Sequence, residues 1–157
     1  MGNNRDKLEE MVVTVEQNKA IIERFVEEVQ NGHNLDMVEE VMSPGMIDHF
    51  YEGQGLPHPP NAVEAFKQFY TGMLQAFPDL QVVVHDMIAE GDRVFTYKSF
   101  QGTHQGEFKG IPATGRRISV DVMDVFRLAN GKMVEHWVVA DWMGLLQQIG
   151  AFPGNKR

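Results

Sequence analysis

Two ionisable residues, Asp124 and His136, interrupt stretches that otherwise alternate between apolar and polar residues. Residues two apart in a strand share a face, and each of the two lies on the apolar face of its own predicted strand. These two faces comprise Ile118, Val120, Val122, Asp124 and Phe126, and then Val134, His136, Val138 and Ala140. A carboxylate and an imidazole that meet in a cavity can exchange protons, so the pair is a candidate general acid and base.

The alternative interpretation of Asp124 and His136 is structural. A buried carboxylate and a buried imidazole can simply satisfy each other's hydrogen bonds. Strand register decides whether they meet at all, because a slip of one residue would put them on opposite faces of the sheet. Both interpretations stay open on the sequence alone.

The other histidines give weaker signals. His33 and His58 lie in polar or proline-rich loops, and His85 and His104 lie on strands whose inward faces the sequence does not assign. No two histidines have the spacing of a metal-binding motif, and no phosphate-binding or dinucleotide-binding glycine motif occurs. The sequence therefore predicts neither a metal site nor a cofactor.

The composition argues against several classes of function. The net charge of the 157 residues is −8, and no basic stretch extends beyond Arg116-Arg117, so a nucleic-acid partner is not expected. There are no cysteines, which excludes thiolate catalysis and is typical of a cytoplasmic protein. No apolar run approaches the roughly 20 residues of a membrane span, so no membrane association is expected.

The elements that must position Asp124 and His136 begin with helices. A stripe of apolar residues at helical spacing predicts a first helix over residues 14–31, preceded by a flexible lead-in at residues 1–13. A short second helix is expected over residues 35–42, with Asn34 as its N-terminal cap.

A third helix carries the strongest amphipathic pattern in the chain. Asn61 and Glu64 have the spacing of a capping box, which marks its start, and Pro78 marks its end. Its apolar stripe includes Phe66 and Tyr70, which are expected to face the interior.

From residue 80 onward the apolar pattern has a period of two, as in strands. The predicted strands are Leu80–Ala89, Arg93–His104, Arg117–Leu128 and Met133–Val139, with a shorter one at Met46–Phe50. Asn130-Gly131 is a strong hairpin signal, and Asp141 is expected to cap a last short helix. Helices followed by an antiparallel meander predict an α+β fold, with one domain over residues 14–150 and a C-terminal tail at 151–157.

Three stretches resemble the signature of the SnoaL-like polyketide cyclases. They are GTHQGEFKGIPATGRR at 102–117, DVFR at 124–127 with NGKMVEHW at 130–137, and LLQQIG at 145–150. The resemblance covers the chain from about Val15 to Gly150. It implies the cone-shaped α+β barrel of the nuclear-transport-factor-two-like superfamily, in which a strongly bent antiparallel or mixed sheet and the helices enclose a deep apolar pocket.

The resemblance also implies a type of chemistry. The founding enzymes of the family close the last ring of an aromatic polyketide by an intramolecular aldol step without a cofactor. A carboxylate removes a proton next to a carbonyl group, and the pocket stabilises the enolate. Ketosteroid isomerase, a relative by fold, uses an Asp base for the same purpose.

Matching the family's catalytic residues to this chain reveals a difference. The family's acid–base Asp, two positions after the His of the last strand, corresponds to Val138. Its pocket His corresponds to Asp124, its polar residue two positions earlier to Val122, and its Asn near the start of the sheet to Asp48. The family signature is present, but the family's catalytic set is not.

The leading hypothesis is a pocket protein that performs cofactor-free proton-transfer chemistry, such as cyclisation or isomerisation, on a small apolar carbonyl compound. Asp124 is the predicted general base and His136 its partner or acid. Asp48 and His49 are expected at the mouth of the pocket. The full set of predicted ligand contacts is Asp48, His49, His104, Val122, Phe126, Val138, Phe66 and Tyr70.

Two other functions stay open on the sequence. A non-catalytic binding module for a small hydrophobic ligand is favoured by the absence of a carboxylate at Val138. Epoxide hydrolysis would require an inward arginine, which the pattern does not supply, so it ranks last. Independently of these alternatives, Met123 and Val125 lie on the outer face of the sheet together with Trp137, which predicts a homodimer through that face.

Overall fold

The computed structural model describes residues 3–152, without the side chains of residues 10–13. Residues 1–2 of the predicted lead-in and 153–157 of the predicted tail lie outside the described residues. In chain order the elements are α1 (Asn4–Arg24), a π-helix (Phe25–Asn31), a 3-10 turn (Leu35–Met37), α2 (Val38–Val41), β1 (Met42–Asp48), α3 (His49–Gly53), α4 (Ala62–Ala76), β2 (Gln81–Glu90), β3 (Arg93–Thr103), β4 (Arg117–Ala129), β5 (Lys132–Ala140) and α5 (Trp142–Gln148).

The five strands form one mixed sheet in the order β1-β5-β4-β3-β2. The pairs β2–β3, β3–β4 and β4–β5 are antiparallel, so the predicted meander is confirmed. Strand β1 joins the free edge of β5 in parallel, which makes the sheet mixed. The helices pack on this sheet, as the predicted α+β class requires.

The first helix starts earlier than the sequence predicted. It begins at Asn4 instead of Thr14, and it passes directly into the π-helix. The residues before Thr14 include good helix formers, and Arg5 makes an i,i+4 ion pair with Glu9 at 3.1 Å, so nothing local ends the helix there. Thr14 and Gln17 have the spacing of a capping box, but this spacing does not mark the start of the helix.

The segment between the first helix and α4 also differs from expectation. The predicted second helix is a 3-10 turn followed by α2, and the side chain of Asn34 does not cap it. Strand β1 begins at Met42, four residues before the predicted start at Met46, and it ends at Asp48 because the next residues form α3. A register shift between Met42 and Ile47 accommodates Pro44-Gly45, since proline cannot donate to a ladder.

Helix α4 and the terminal helix α5 follow the sequence signals closely. The Asn61 side chain accepts a hydrogen bond from the Glu64 amide, and Asp141 caps α5 through the Gly144 amide. The α4 stripe faces the sheet, with Tyr70 and Met73 fully buried. Within residues 3–152 no helix is long and apolar enough to cross a membrane.

The core lies between the inner face of the sheet and the helices. The predicted inward residues of β4 are confirmed, since all of them are at most 3 % exposed: Ile118, Val120, Val122, Asp124 and Phe126. Phe126 packs against Phe25 of the π-helix, whose ring in turn contacts Phe66 of α4. This aromatic layer ends at a cavity, which contains the ionisable residues of the inner face.

Candidate active site

The cavity between the sheet and the helices has a largely apolar wall. Its apolar aromatic lining comes from Phe25, Phe50, Phe66, Phe69, Phe100, Phe126 and Trp142. The polar residues in the wall are Gln30, Asp48, Tyr51, Tyr70, Lys98, Asp124 and His136. An apolar cavity with a few convergent polar groups is the usual form of a small-molecule site.

Asp124 is the most buried carboxylate of this wall, with a side chain 3 % exposed. Its Oδ2 lies 2.6 Å from the Lys98 ammonium and accepts a hydrogen bond from the Thr96 hydroxyl at 3.3 Å. Both partners come from β3, where Thr96 lies directly opposite Asp124 in the ladder and Lys98 lies two residues further on. Alternation along β3 therefore puts a hydroxyl and an ammonium on the same inner face as the carboxylate.

His136 lies between two carboxylates. Its Nε2 is 2.6 Å from Asp124 Oδ1, and its Nδ1 is 3.1 Å from Asp48 Oδ1. The imidazole also stacks on Phe126, with ring centroids 4.7 Å apart and planes 13° from parallel. The aromatic ring and the two acceptors together fix the orientation of the imidazole.

Strand register explains why Asp124 and His136 meet. The residue directly opposite His136 is Phe126, and the residue directly opposite Asp124 is Val138. The two ionisable residues are thus diagonal neighbours on the inner face, a separation that long side chains can bridge. The sequence left open whether the two side chains meet; in the structure they do, through this diagonal placement.

Asp48 reaches the cavity through the parallel pairing of β1 with β5. It lies opposite His136 in that ladder, at the last residue of β1. Its Oδ1 also accepts the Phe50 amide at 3.0 Å and so caps α3. Among the described residues, Oδ2 of Asp48 has no hydrogen-bond partner, which leaves one carboxylate oxygen available in the cavity wall.

The charges of these groups follow from their mutual contacts. Burial opposes ionisation of Asp124, but the Lys98 ammonium and the His136 imidazole outweigh burial and lower its pKa to about 2. Burial likewise opposes protonation of His136, but its hydrogen bonds to Asp124 and Asp48 raise its pKa to about 9. At neutral pH the imidazole is therefore protonated and donates to a carboxylate from each ring nitrogen.

Comparison with known proteins identifies the family to which this chain belongs. The family model for SnoaL-like polyketide cyclases matches residues 20–149. The chain belongs to the SnoaL-like polyketide cyclase family.

Individual members of the SnoaL-like family match most of the chain. The aklanonic acid methyl ester cyclase DnrD of Streptomyces peucetius is 29% identical over 137 residues, which are 83% of this chain and 88% of that protein. The nogalonic acid methyl ester cyclase of Streptomyces nogalater is 28% identical over 121 residues, 76% of this chain and 88% of that protein. The crystal structure of AclR from Streptomyces galilaeus, a proposed hydroxylase, is 32% identical with a TM-score of 0.75, covering 88% of this chain and 84% of that one.

Asp124 and Val138 differ from the residues that the resemblance implies at these two positions. The resemblance implies a His at position 124 and an acid–base Asp at position 138, and these two positions lie directly opposite each other in the ladder. This chain has the carboxylate at Asp124 and an apolar residue at Val138, which lines the cavity. Asp124 thus places a carboxylate on the strand next to the position at which the resemblance implies one.

Most of the predicted ligand contacts lie in the cavity wall. Those that do are Asp48, Phe66, Tyr70, Val122, Phe126 and Val138. His49 and His104 are not part of this wall. His49 lies against the Trp137 ring with both of its nitrogens on glutamates, and His104 lies beneath the loop that joins β3 to β4.

His104 is fully buried but supports the fold at a distance from the cavity. Its Nδ1 accepts from the Thr114 amide at 3.3 Å, and its ring packs on Phe77 with centroids 5.6 Å apart. Its Nε2 is buried and has no partner among the described residues. The sequence could not distinguish this role from ligand binding, because the inward face of β3 was not assigned.

Sequence reasoning missed Lys98, Gln30 and Tyr51. Period-two alternation could have found Lys98, because Val94, Thr96, Lys98 and Phe100 form one face of β3. Gln30 is 3 % exposed, and its Oε1 is buried without a partner among the described residues. Burial, and then the charge of Asp48, raise the pKa of Tyr51, so its phenol is neutral. No local pattern marks Gln30 or Tyr51, because a π-helix and a one-turn helix bring them to the cavity.

Proposed function

We propose that this protein is a polyketide-cyclase-like enzyme that closes a ring by proton transfer without a cofactor. The observation that carries the proposal is the continuous ionic chain Lys98–Asp124–His136–Asp48 in the wall of an apolar cavity. Lys98 and Asp124 are buried, and His136 and Asp48 are 14 % and 20 % exposed. Removing ionisable groups from water is costly, so their retention in a cavity wall favours a role in chemistry over a role in packing. The proposed substrate is a small apolar carbonyl compound; the two cyclases named above are cyclases of methyl esters.

Asp48 is the carboxylate that we assign to proton abstraction. The sequence hypothesis gave that role to Asp124. However, both oxygens of Asp124 are occupied by Lys98, Thr96 and His136, and its pKa is lowered to about 2, so it is a weak base. Asp48 lines the cavity, and its Oδ2 has no hydrogen-bond partner among the described residues. Asp124 then acts as a positioning residue that holds the imidazolium between the two carboxylates.

The reaction balances without any other reactant. Asp48 takes a proton from the carbon next to a carbonyl group, and the electron pair of that C–H bond forms the enolate. The enolate carbon attacks a second carbonyl group of the same molecule, which forms one C–C bond and an alkoxide. The proton on Asp48 then returns to the alkoxide oxygen, so the product is an isomer of the substrate.

The test uses the substrate of a relative, aklanonic acid methyl ester, with mass spectrometry and chromatography of the product. We expect Asp48→Asn to lower the rate by roughly 10²–10⁴-fold, because Asn keeps the shape but cannot take a proton. The matched control is Asp92→Asn at an exposed turn, which should react at the wild-type rate. If Asp48→Asn turned over the substrate at the wild-type rate, Asp48 would not be the base, and Asp124 would again be the candidate for that role.

The same experiment addresses the activity suggested by AclR. A shared fold does not fix the reaction, and AclR is a proposed hydroxylase. Ring closure gives a product of unchanged mass, whereas hydroxylation adds one oxygen atom. A product that is heavier by one oxygen would therefore contradict the cyclase proposal.

Two further expectations from the sequence, a cytoplasmic location and a homodimer, stay proposals. Support for the dimer comes from the outer face of the sheet, where Met123 and Val139 lie directly opposite each other and are 49 % and 76 % exposed. The next apolar pair on that face is Val125 and Trp137. Met123 and Val139 are exposed, whereas Val125 and Trp137 are half-buried, and an apolar patch with an exposed pair is typical of a contact surface.

Light scattering tests the dimer. We expect wild-type protein at micromolar concentration to have twice the monomer mass, and Val139→Glu to shift it towards the monomer. Lys132→Glu, on the same strand but outside this apolar patch, serves as a control for the added charge. A wild-type protein that remains monomeric at these concentrations would contradict the proposal.

A further inference from the structure

Lys98 is a lysine buried inside the protein, which is unusual for this residue type. Its side chain is 2 % exposed and forms part of the cavity wall. The ammonium lies 5.8 Å from the centre of the Phe100 ring and 5.6 Å from that of Phe126, and both rings also line the cavity. Lysine is almost never fully buried unless it is paired, so its partners decide what it can do.

The ammonium of Lys98 has more donors than partners. Its carboxylate partner is Asp124, at 2.6 Å, and no second acceptor contacts it among the described residues. A lysine ammonium carries three N–H donors, and a buried donor without an acceptor is costly. Because Lys98 is in the cavity wall, an acceptor atom of a bound ligand can accept a hydrogen bond from one of the unpaired N–H donors.

We propose that Lys98 binds the carbonyl oxygen of an enolisable ketone and stabilises the enolate oxygen as it forms. The catalytic half of this inference rests on the proposed function, whereas the binding half does not. No covalent bond to Lys98 forms. As the C–H proton moves to Asp48, the electron pair moves onto the carbonyl oxygen, which accepts a stronger hydrogen bond from the ammonium.

The charges of the cavity favour this assignment. Lys98 and protonated His136 carry two positive charges, and Asp124 and Asp48 carry two negative charges, so a neutral ketone enters a site with no net charge. Proton abstraction neutralises Asp48 and moves one negative charge to the ligand oxygen. The total stays constant, and Lys98 is a cation placed to compensate the new position of that charge.

The binding test uses two ligands of the same shape, 2-acetylnaphthalene and 2-isopropenylnaphthalene, which differ by a C=O in place of C=CH2. We expect wild-type protein to favour the ketone over the alkene by about tenfold or more relative to Lys98→Met, because hydrogen bonds to charged groups are strong. In the infrared spectrum, the bound ketone should have its C=O stretch at a lower wavenumber in wild-type protein than in Lys98→Met. If Lys98 had only a structural role, Lys98→Met would change neither the preference for the ketone nor its C=O stretch.

A second pair of variants covers the case in which Lys98→Met does not fold, since it leaves Asp124 buried without its cation. Asp124→Asn and Asp124→Asn/Lys98→Met both lack the ion pair, so their difference reports the ammonium alone. The ketone preference should be present in the first variant and lost in the second. Equal preferences, equal C=O stretches, or failure of wild-type protein to bind 2-acetylnaphthalene would overturn the proposal.

Asp48→Asn separates this inference from the proposed function. The variant keeps Lys98, so it should retain the shifted C=O stretch of the bound ketone while it loses turnover. A shifted stretch in a wild-type protein without cyclase activity would sustain the Lys98 site and refute the proposed function. Full turnover by wild-type protein with an unshifted C=O stretch would sustain the proposed function and refute the Lys98 site.

Discussion

Two histidines of this protein, His136 and His49, each lie between two carboxylates. His136 contacts Asp124 at 2.6 Å and Asp48 at 3.1 Å, and His49 contacts Glu52 and Glu135, both at 2.8 Å. Each imidazole also stacks on an aromatic ring, Phe126 in one case and Trp137 in the other. By residue type and distance alone, the two arrangements are equivalent.

The two arrangements differ in their exposure to solvent. Around His136 the carboxylates are 3 % and 20 % exposed, and the imidazole lines the cavity. Around His49, Glu52 is 55 % exposed and Glu135 18 %, and the imidazole is not part of the cavity wall. Water screens the contact to Glu52 more than the contact to Asp124, and His136 is the one of the two histidines that lines the cavity, so these two properties distinguish the pairs.

The largest expected difference between the two histidines is in turnover of aklanonic acid methyl ester. His136→Gln should lower the rate by roughly 10²–10⁴-fold, because the proton-transfer group loses its cationic partner. His49→Gln should leave the rate close to that of the wild type, since His49 is not part of the cavity wall. Equal losses in the two variants, measured by chromatography of the product, would mean that burial does not distinguish them.

The next largest difference is in stability. Asp124→Ala leaves Lys98 and His136 buried without their shared carboxylate, which should cost about 3–5 kcal/mol in the free energy of unfolding. Glu135→Ala on the outer face should shift the urea midpoint less, because His49 keeps its contact to Glu52 and the Arg127 side chain is 33 % exposed. A urea midpoint of Asp124→Ala near the wild-type value would contradict this account.

The pH dependence of stability should reveal the inner histidine. The pKa of His136 is raised from 6.5 to about 9, so its protonation stabilises the fold fully below pH 6.5, and this contribution is lost as the pH rises through 9. The pKa of Asp124 is lowered from 3.8 to about 2, so its contribution is present above pH 3.8 and is lost as the pH falls through 2.

Urea unfolding at a series of pH values measures this effect. The wild type should lose stability between pH 6.5 and pH 9, and His136→Gln should lose much less over the same range. The matched comparison is His49→Gln. Hydrogen bonds to Glu52 and Glu135 also raise the pKa of His49, but Glu52 is 55 % exposed, so this variant should lose less of the pH dependence than His136→Gln does. A wild-type curve without any loss over this range would exclude a protonated His136.

The smallest expected effect concerns Gln30, a buried polar residue whose side-chain oxygen lacks, within the described part of the chain, the hydrogen-bond partners that His136 has. Gln30 lines the cavity, and its Oε1 has no partner among the described residues. Gln30→Met has a similar shape without polar atoms, so it should raise the free energy of unfolding by about 1 kcal/mol in the absence of ligand. Thermal unfolding measures this change, and a lower melting temperature would show that the amide is satisfied.

Much of the fold and part of the site follow from local patterns. Alternation along β4 identified its buried face, including Asp124, and alternation along β5 placed His136 on the inner side. Asn130-Gly131 fixed the hairpin that joins these strands, with Asn130 at φ 51° and Gly131 at φ 77° as that turn requires. A sequence can determine such features because the residues involved are close in the chain.

The remaining parts of the site depend on contacts between distant segments. Asp48 and His136 are 88 residues apart, and they meet because β1 pairs in parallel with β5, a pairing that no local pattern encodes. Thr96 and Asp124, 28 residues apart, meet only through the register of β3 with β4, which also brings Lys98 to the same carboxylate. The sequence alone determined the family, the α+β layers and the inward positions of Asp124 and His136. The tertiary structure decided which groups surround them, because protonation and basicity depend on burial and on neighbours that the chain brings together only when it folds.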